Sequence, residues 1–300
     1  MALNLDQLTT EQANPHTTEL DLLPIEEALY RLNDEDQKVA LAVREVIPEI
    51  ARAVELVERA LRAGGRLIYV GAGTSGRLGC LDASEIPPTY GLEPDRVIGI
   101  IAGGDAALRR SIEGAEDDPA QGAAAVAELE IGPDDVVCGI AASGRTPYVL
   151  GALAEARRRG TPTLGVTTNR PSEMEGVVDV LIAPVVGPEP ISGSTRMKSG
   201  TAQKLVLNML TSLAMVRIGK TYGNLMVDVR ATNEKLVHRA HRLIRLVAGV
   251  DEATAARLFE ESGRETKLAI MMGLTGENAE TSRARLEKAG GVLRRALLEP

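Results

Sequence analysis

Residues Arg66–Arg77 read RLIYV-GAGTSGR, an apolar, β-branched run passing directly into Gly71-Ala-Gly-Thr-Ser-Gly-Arg77. The order strand, glycine loop, helix is the opening unit of a doubly wound α/β sheet. The loop also satisfies G-x-G-x-x-G, a pattern that binds the pyrophosphate of dinucleotides. Two of its variable positions, Thr74 and Ser75, carry hydroxyls, which suit a smaller phosphate equally well.

Working outward from this stretch, strand-like runs recur at Val97–Ile101, Asp135–Ala141, Thr163–Val166 and Asp179–Pro184. They are apolar without clean alternation, as strands buried on both faces are. Helical stretches separate them, for example Pro147–Arg159, whose basic end and following Gly160 fit a helix C-terminus. The expectation is an α/β protein: a doubly wound parallel five-stranded sheet flanked by helices. Before the sheet, Val39, Val43, Val46, Ile50, Val54, Val57 and Leu61 recur in steps of four and three, predicting one long amphipathic helix that ends at Gly64-Gly65. A short helix is expected around Ile25–Leu32. After the sheet, Lys198–Ile218 is apolar on several sides and predicts a buried helix, in the core or at a subunit interface, with Met209 and Met215 as core residues. A helix over Asn233–Val247 follows, and glycines at 263, 276 and 290–291 divide the remainder into three or four short helices. Three segments result: an arm over 1–35, the main domain over 36–248, and a small helical C-terminal subdomain over 249–300.

Composition excludes several classes. The formal charge is −8 and aromatics make up 2% of the 300 residues, with no Trp. Nucleic-acid surfaces need a basic face and stacking rings, so no nucleic-acid partner is expected. Cys80 and Cys138 are too few for a disulfide framework or a thiolate metal site, and no metal and no cofactor are expected. No apolar run reaches membrane length, and the N-terminus lacks a basic flank and apolar core, so the expected location is cytoplasmic, with no membrane partner.

Three loops share one chemistry. The first contains Gly73, Thr74, Ser75, Gly76 and Arg77. The third strand runs into Ser143-Gly144-Arg145-Thr146, again Ser-Gly-Arg. The fifth runs toward Ser192-Gly193-Ser194-Thr195-Arg196-Met197-Lys198 and then a helix. Each places glycines, hydroxyls and a cation at the C-terminal edge of the sheet, where open α/β folds bind ligands. Glycines admit backbone amides to an anion, hydroxyls donate to phosphate oxygens, and helix N-termini add partial positive charge. A dinucleotide site also needs an acidic ribose ligand about twenty residues on. The second strand ends instead in Ala102-Gly103-Gly104. A phosphate monoester, such as a sugar phosphate, is the better match, and a nicotinamide enzyme the remote alternative.

The runs GAGTSGRLGCLDASEIPPTYG (71–91), IAGG (101–104), EGAEDD (113–118), GIAASGRTPYV (139–149), GPEPISGSTRMKSGTAQKLVLNML (187–210) and YGNLMVDVRATNEKL (222–236) resemble the N-acetylmuramic acid 6-phosphate etherases, which are sugar-isomerase (SIS) domain proteins. The similarity is dense over roughly residues 8–240. The resemblance implies a SIS-type sheet, removal of D-lactate from position 3 of the sugar, N-acetylglucosamine 6-phosphate as product, a role in cell-wall recycling, and a homodimer. Ala141 stands where the wider SIS pattern has the first serine of its second phosphate loop.

An ether is not cut by triad acyl chemistry, and no Ser/His/Asp arrangement stands out. Elimination followed by hydration needs one base, for the hydrogen beside the open-chain aldehyde, and one acid, for the departing lactyl oxygen. The resemblance implies that the pair is Glu85, in D-A-S-E, and Glu116, in E-G-A-E. We assign Glu116 as base at C2 and Glu85 as acid. Glu85 is expected on a short helix stopped by Pro87-Pro88. Asp118 is expected to cap a helix beginning at Pro119. Arg77, Arg145, Arg196 and Lys198 are the cations available to phosphate or to the lactyl carboxylate. His238 and His241, one turn apart among arginines, read as a solvated face. A phosphosugar isomerase, or a sugar-phosphate-sensing regulator of the SIS group, are the competing readings.

Overall fold

The computed structural model describes residues 8–228 and 233–298. Residues 229–232 of the run 222–236, and the first seven of the N-terminal arm, lie outside the described residues. The chain forms two compact units, Met1–Ser84 with Asp95–Thr211, and Glu85–Pro94 with Ser212–Pro300.

The first unit is built on five parallel strands, β1 (Leu67–Gly71), β2 (Val97–Ile101), β3 (Val136–Ile140), β4 (Thr163–Val166) and β5 (Val180–Ile182), in the order β2-β1-β3-β4-β5. All five expected strands are present. In register, Gly71 lies opposite both Ile101 and Ile140, so β1, β2 and β3 end level and release their loops at one edge. Successive residues of β1 face opposite sides. Ile68 and Val70 pack into a cluster with Val126 of α5 (Pro119–Ala127) and Tyr148, Val149 and Leu153 of α6 (Pro147–Arg158). Tyr69 faces the other way, and its hydroxyl donates to Asp82 of α3 (Gly73–Tyr90) at 3.0 Å. Asp82 is buried and also accepts from Asn208 and Thr211 of α7 (Lys198–Arg217). Burial pushes its carboxyl up, with the donors Asn208, Thr211 and Tyr69 pulling against that. One carboxylate thus ties two helices to β1, on the face opposite α5 and α6.

Several expectations need correction. The long helix is two, α1 (Ile25–Arg44) and α2 (Ile47–Arg62), and α1 takes in the short helix expected at 25–32. The seven apolar residues of the pattern are all buried, but the helix cannot be continuous. Pro48 stands in the first turn of α2, and in one helix its ring would clash with the carbonyl of Arg44. Next, α3 continues through Pro87 and Pro88 to Tyr90. The pair falls in the last turns, where its missing N–H groups leave only the carbonyls of Ala83 and Ser84 without helical partners. Finally, Met215 is buried but Met209 is 41% exposed, and with Leu213 and Val216 it forms an exposed apolar stripe along α7. The buried side of that helix includes the polar residues Ser199, Gln203 and Thr211. As expected, Asp118 caps α5, accepting from the backbone of Ala120 and Gln121.

The second unit holds the hairpin β6 (Thr221–Tyr222) and β7 (Leu225–Met226), with α8 (Glu234–Ala248), α9 (Glu252–Glu261), α10 (Thr266–Thr275), α11 (Ala279–Lys288) and α12 (Leu293–Leu298). Phe259, Ile244, Ile270, Met271 and Leu293 form its core. Glycines 263, 276, 290 and 291 adopt positive φ and stop the helices where expected. His241 is not on a solvated face: its ring meets Phe259 edge-on, with Nδ1 3.3 Å from Glu252. Among the described residues, no helix is long and apolar enough to cross a membrane.

Candidate functional site

The first loop is a close approach of backbone to backbone. A Cβ on Gly71 would fall 2.6 Å from the amide nitrogen of Gly76, so only glycine lets the strand turn so directly into α3. Gly73, at φ +53°, begins the helix and is exposed, with Thr74 half-buried beside it. Open amides at a helix N-terminus are the groups that anions bind in other folds. Ser75 turns inward, and its hydroxyl donates to Gln203 Oε1 on α7 at 2.9 Å. Arg77 donates to the carbonyls of Leu108 and Arg110, holding the segment after β2.

That segment leads to Glu116. Gly73, Arg77, Arg110, Glu113 and Glu116 line one cavity of about 270 Å³, so the first loop and the assigned base share a wall. The backbone carbonyl of Glu116 accepts from Tyr148 at 3.0 Å, which anchors it to the start of α6, while its side chain stays exposed. Glu85 is also exposed, on α3 one turn after the buried Asp82. Neither carboxylate is buried within the single chain.

The second loop follows β3. Gly144 has φ +70°, and a Cβ there would collide with Ser172 Oγ. Ser143 Oγ accepts from the backbone of Arg145 at 3.3 Å, and Thr146 stands at the N-cap of α6 without a side-chain capping bond. The Arg145 Nε has no hydrogen-bond partner and lies 4.0 Å from Glu173. Ser143, Gly144, Arg145 and Thr146 thus stand at the same sheet edge as Gly73–Ser75.

The third loop differs from the other two. The helix N-terminus that follows it is already filled: Glu189, fully buried, accepts from the backbone of Lys198 and Ser199 at 2.8 and 2.9 Å. Lys198 turns away from the loop, and its Nζ meets Glu35 of α1 at 2.6 Å, with both side chains buried. Ser194 is half-buried and Arg196 exposed. The loop is held by the N-terminal arm: Gly193 donates to the Thr10 carbonyl, Asn14 to the Pro188 carbonyl and Thr17 to the Pro190 carbonyl.

Sequence reasoning did not find Asp82, Gln203, Glu189, Glu35 or Arg110. A usable signal existed for Gln203: polar side chains recurring inside an otherwise apolar helix mark a buried hydrogen-bonding stripe. Glu35 gave none, because its partner Lys198 lies 163 residues away in the chain.

Known proteins resemble this chain over most of its length. The family described as glucokinase regulatory protein N-terminal SIS domain matches residues 49–157. N-acetylmuramic acid 6-phosphate etherase from Mesorhizobium japonicum is 54% identical over 99% of this chain and 96% of its own. The proteins of that name from Rhizobium rhizogenes and Symbiobacterium thermophilum are 55% and 57% identical, covering 98% and 91% of this chain and 95% and 91% of their own. At that identity over nearly the full length of both partners, the chain belongs to the N-acetylmuramic acid 6-phosphate etherase family.

Proposed function

We propose that this protein cleaves the D-lactyl ether of N-acetylmuramic acid 6-phosphate, giving N-acetylglucosamine 6-phosphate and D-lactate, in cell-wall sugar recycling. The observation that carries this is identity above half to etherases along almost the whole chain. The cavity shared by the glycine loop and Glu116 supports it with a place for the chemistry.

In this reading the phosphate sits on the amides and hydroxyls of Gly73, Thr74 and Ser75 and of Ser143, Gly144, Arg145 and Thr146. Ser194 and Arg196 add a hydroxyl and a cation. Lys198 acts indirectly, its pair with Glu35 fixing the start of α7 behind the third loop. The sugar reacts in its open-chain form. Glu116 takes the proton from C2, the electron pair forms the C2–C3 double bond, and the C3–O bond breaks as Glu85 protonates the lactyl oxygen. Water then adds at C3, losing a proton to Glu85, while C2 regains one from Glu116. The exposed stripe of Met209, Leu213 and Val216 supports a homodimer. We place the enzyme in the cytoplasm.

Incubation with N-acetylmuramic acid 6-phosphate and an assay for D-lactate tests the reading. A regulator of phosphosugar-sensing type, which the glucokinase regulatory match favours, would bind the sugar and release no lactate.

A further inference from the structure

The cavity that holds Glu116 is lined by two arginines, and only one is spoken for. Arg77 spends its guanidinium on the carbonyls of Leu108 and Arg110, each at 3.3 Å. Arg110 follows directly after α4 (Ala106–Arg109), in extended conformation at φ −136° and ψ 152°. Its side chain is exposed and makes no hydrogen bond or ion pair among the described residues. Yet Glu113 and Glu116 line the same cavity. A guanidinium that stands among carboxylates and pairs with none of them is held open for an anion from outside.

We propose that Arg110 is the specificity-determining residue that binds the carboxylate of the departing lactyl group. This rests on the function proposed above, whose substrate carries two anions. The phosphate matches loops of amides and hydroxyls, which surround a tetrahedral group. The flat lactyl carboxylate matches the planar fork of a guanidinium, which grips two oxygens at once. Position decides which cation it meets. Glu116 must reach C2, and the lactyl ether hangs from the adjacent carbon, so the carboxylate falls near the wall that carries Glu116. Arg110 is on that wall. Arg196 belongs to the third loop and does not line this cavity, and Lys198 is buried against Glu35. The sugar product lacks the carboxylate, so Arg110 favours the ether-bearing sugar over N-acetylglucosamine 6-phosphate.

The test compares the full-length wild type with Arg110→Gln and Arg110→Lys. It measures kcat/KM for N-acetylmuramic acid 6-phosphate and the inhibition constant of N-acetylglucosamine 6-phosphate. A charged hydrogen-bond partner is worth about ten- to a hundred-fold here. Arg110→Gln is expected to lose that much kcat/KM while the product's inhibition constant stays within about twofold, and Arg110→Lys recovers part of the loss. A second arm changes the substrate instead, giving wild type the analogue whose lactyl carboxylate is a neutral amide. Wild type is expected to lose a similar factor, and Arg110→Gln to lose nothing further on the same change. This arm stands even if a variant folds poorly, since wild type alone must discriminate acid from amide. A parallel rise in the product's inhibition constant would assign Arg110 to the phosphate and overturn the proposal. Unchanged kcat/KM in Arg110→Gln, or wild-type indifference to the amide, would overturn it too. These results differ from failure of the function itself, in which wild type releases no D-lactate at all.

Discussion

Ser75 and Gln203 are joined by a hydrogen bond of 2.9 Å, with Ser75 7% and Gln203 1% exposed, and the Gln203 Nε2 has no partner. The bond ties the first turn of α3 to the second turn of α7. Turned end for end, the same carboxamide would donate to Ser75 Oγ and free the serine proton for a phosphate oxygen. On the proposed placing of the phosphate, Ser75→Ala and Ser143→Ala each remove a donor that substrate and transition state share. Steady-state kinetics are expected to show KM rising more than kcat falls. A normal KM for the phosphorylated sugar in both variants would put the phosphate elsewhere.

The two glutamates are separable by isotope. Glu116→Gln is expected to abolish both deuterium uptake at C2 and lactate release, because nothing precedes removal of that proton. Glu85→Gln is expected to stop lactate release while C2 still exchanges in heavy water. Loss of a positioned acid or base costs about a hundred- to ten-thousand-fold. Mass spectrometry of the recovered sugar reads exchange, and survival of exchange in Glu116→Gln alone requires the roles to be swapped.

Acid stability is expected to follow Glu35. Burial would push its carboxyl up, but hydrogen bonds from Lys198, Lys38 and Asn14 outweigh burial and hold it at about 2 instead of 4.5. A lowered folded-state pKa contributes stability that is fully present above the unfolded value and is lost as pH falls through the folded one. Here that is roughly 3 kcal/mol, present above about pH 4.5 and drained toward pH 2. Urea titrations at several pH values should show this acid limb in wild type. The double variant Glu35→Gln/Lys198→Met should lack it, while keeping most of its stability at neutral pH. An unchanged limb in that variant would assign it to other carboxylates.

Gly144→Ala is expected to strain the second loop, since φ +70° disfavours any side chain and its Cβ meets Ser172 Oγ. A loss of about 1–3 kcal/mol, read by thermal or urea unfolding, should accompany a raised KM. Wild-type stability and KM together would show that the loop adjusts freely.

The stripe on α7 predicts association. Light scattering at micromolar concentration should give twice the chain mass, and Met209→Glu should shift it toward the monomer. A wild-type monomer would remove the dimer.

What could be read in advance divides along physical lines. The strands were legible because buried parallel strands are written as continuous β-branched runs, and their glycine exits mark the ligand edge. The helices of the second unit were legible from their glycine stops. The break between α1 and α2 was not, because the apolar period carries on unchanged across Pro48. Nor was the role of Lys198: a lysine beside a hydroxyl-rich loop resembles a ligand until Glu35, 163 residues away, is folded against it. Glu85 and Glu116 came from resemblance, since an exposed glutamate in an acidic cluster has no local signature.

The arm that holds the third loop also fixes an order of assembly. Its bonds join residues 173, 174 and 180 positions apart, so the arm must wait for one of the last parts of the first unit. The sheet can form before the arm docks, but the loop carrying Ser194 and Arg196 reaches its final shape only when both ends of that long span meet. A newly made chain therefore holds its core before it holds its substrate, and activity should appear after compactness in refolding from denaturant.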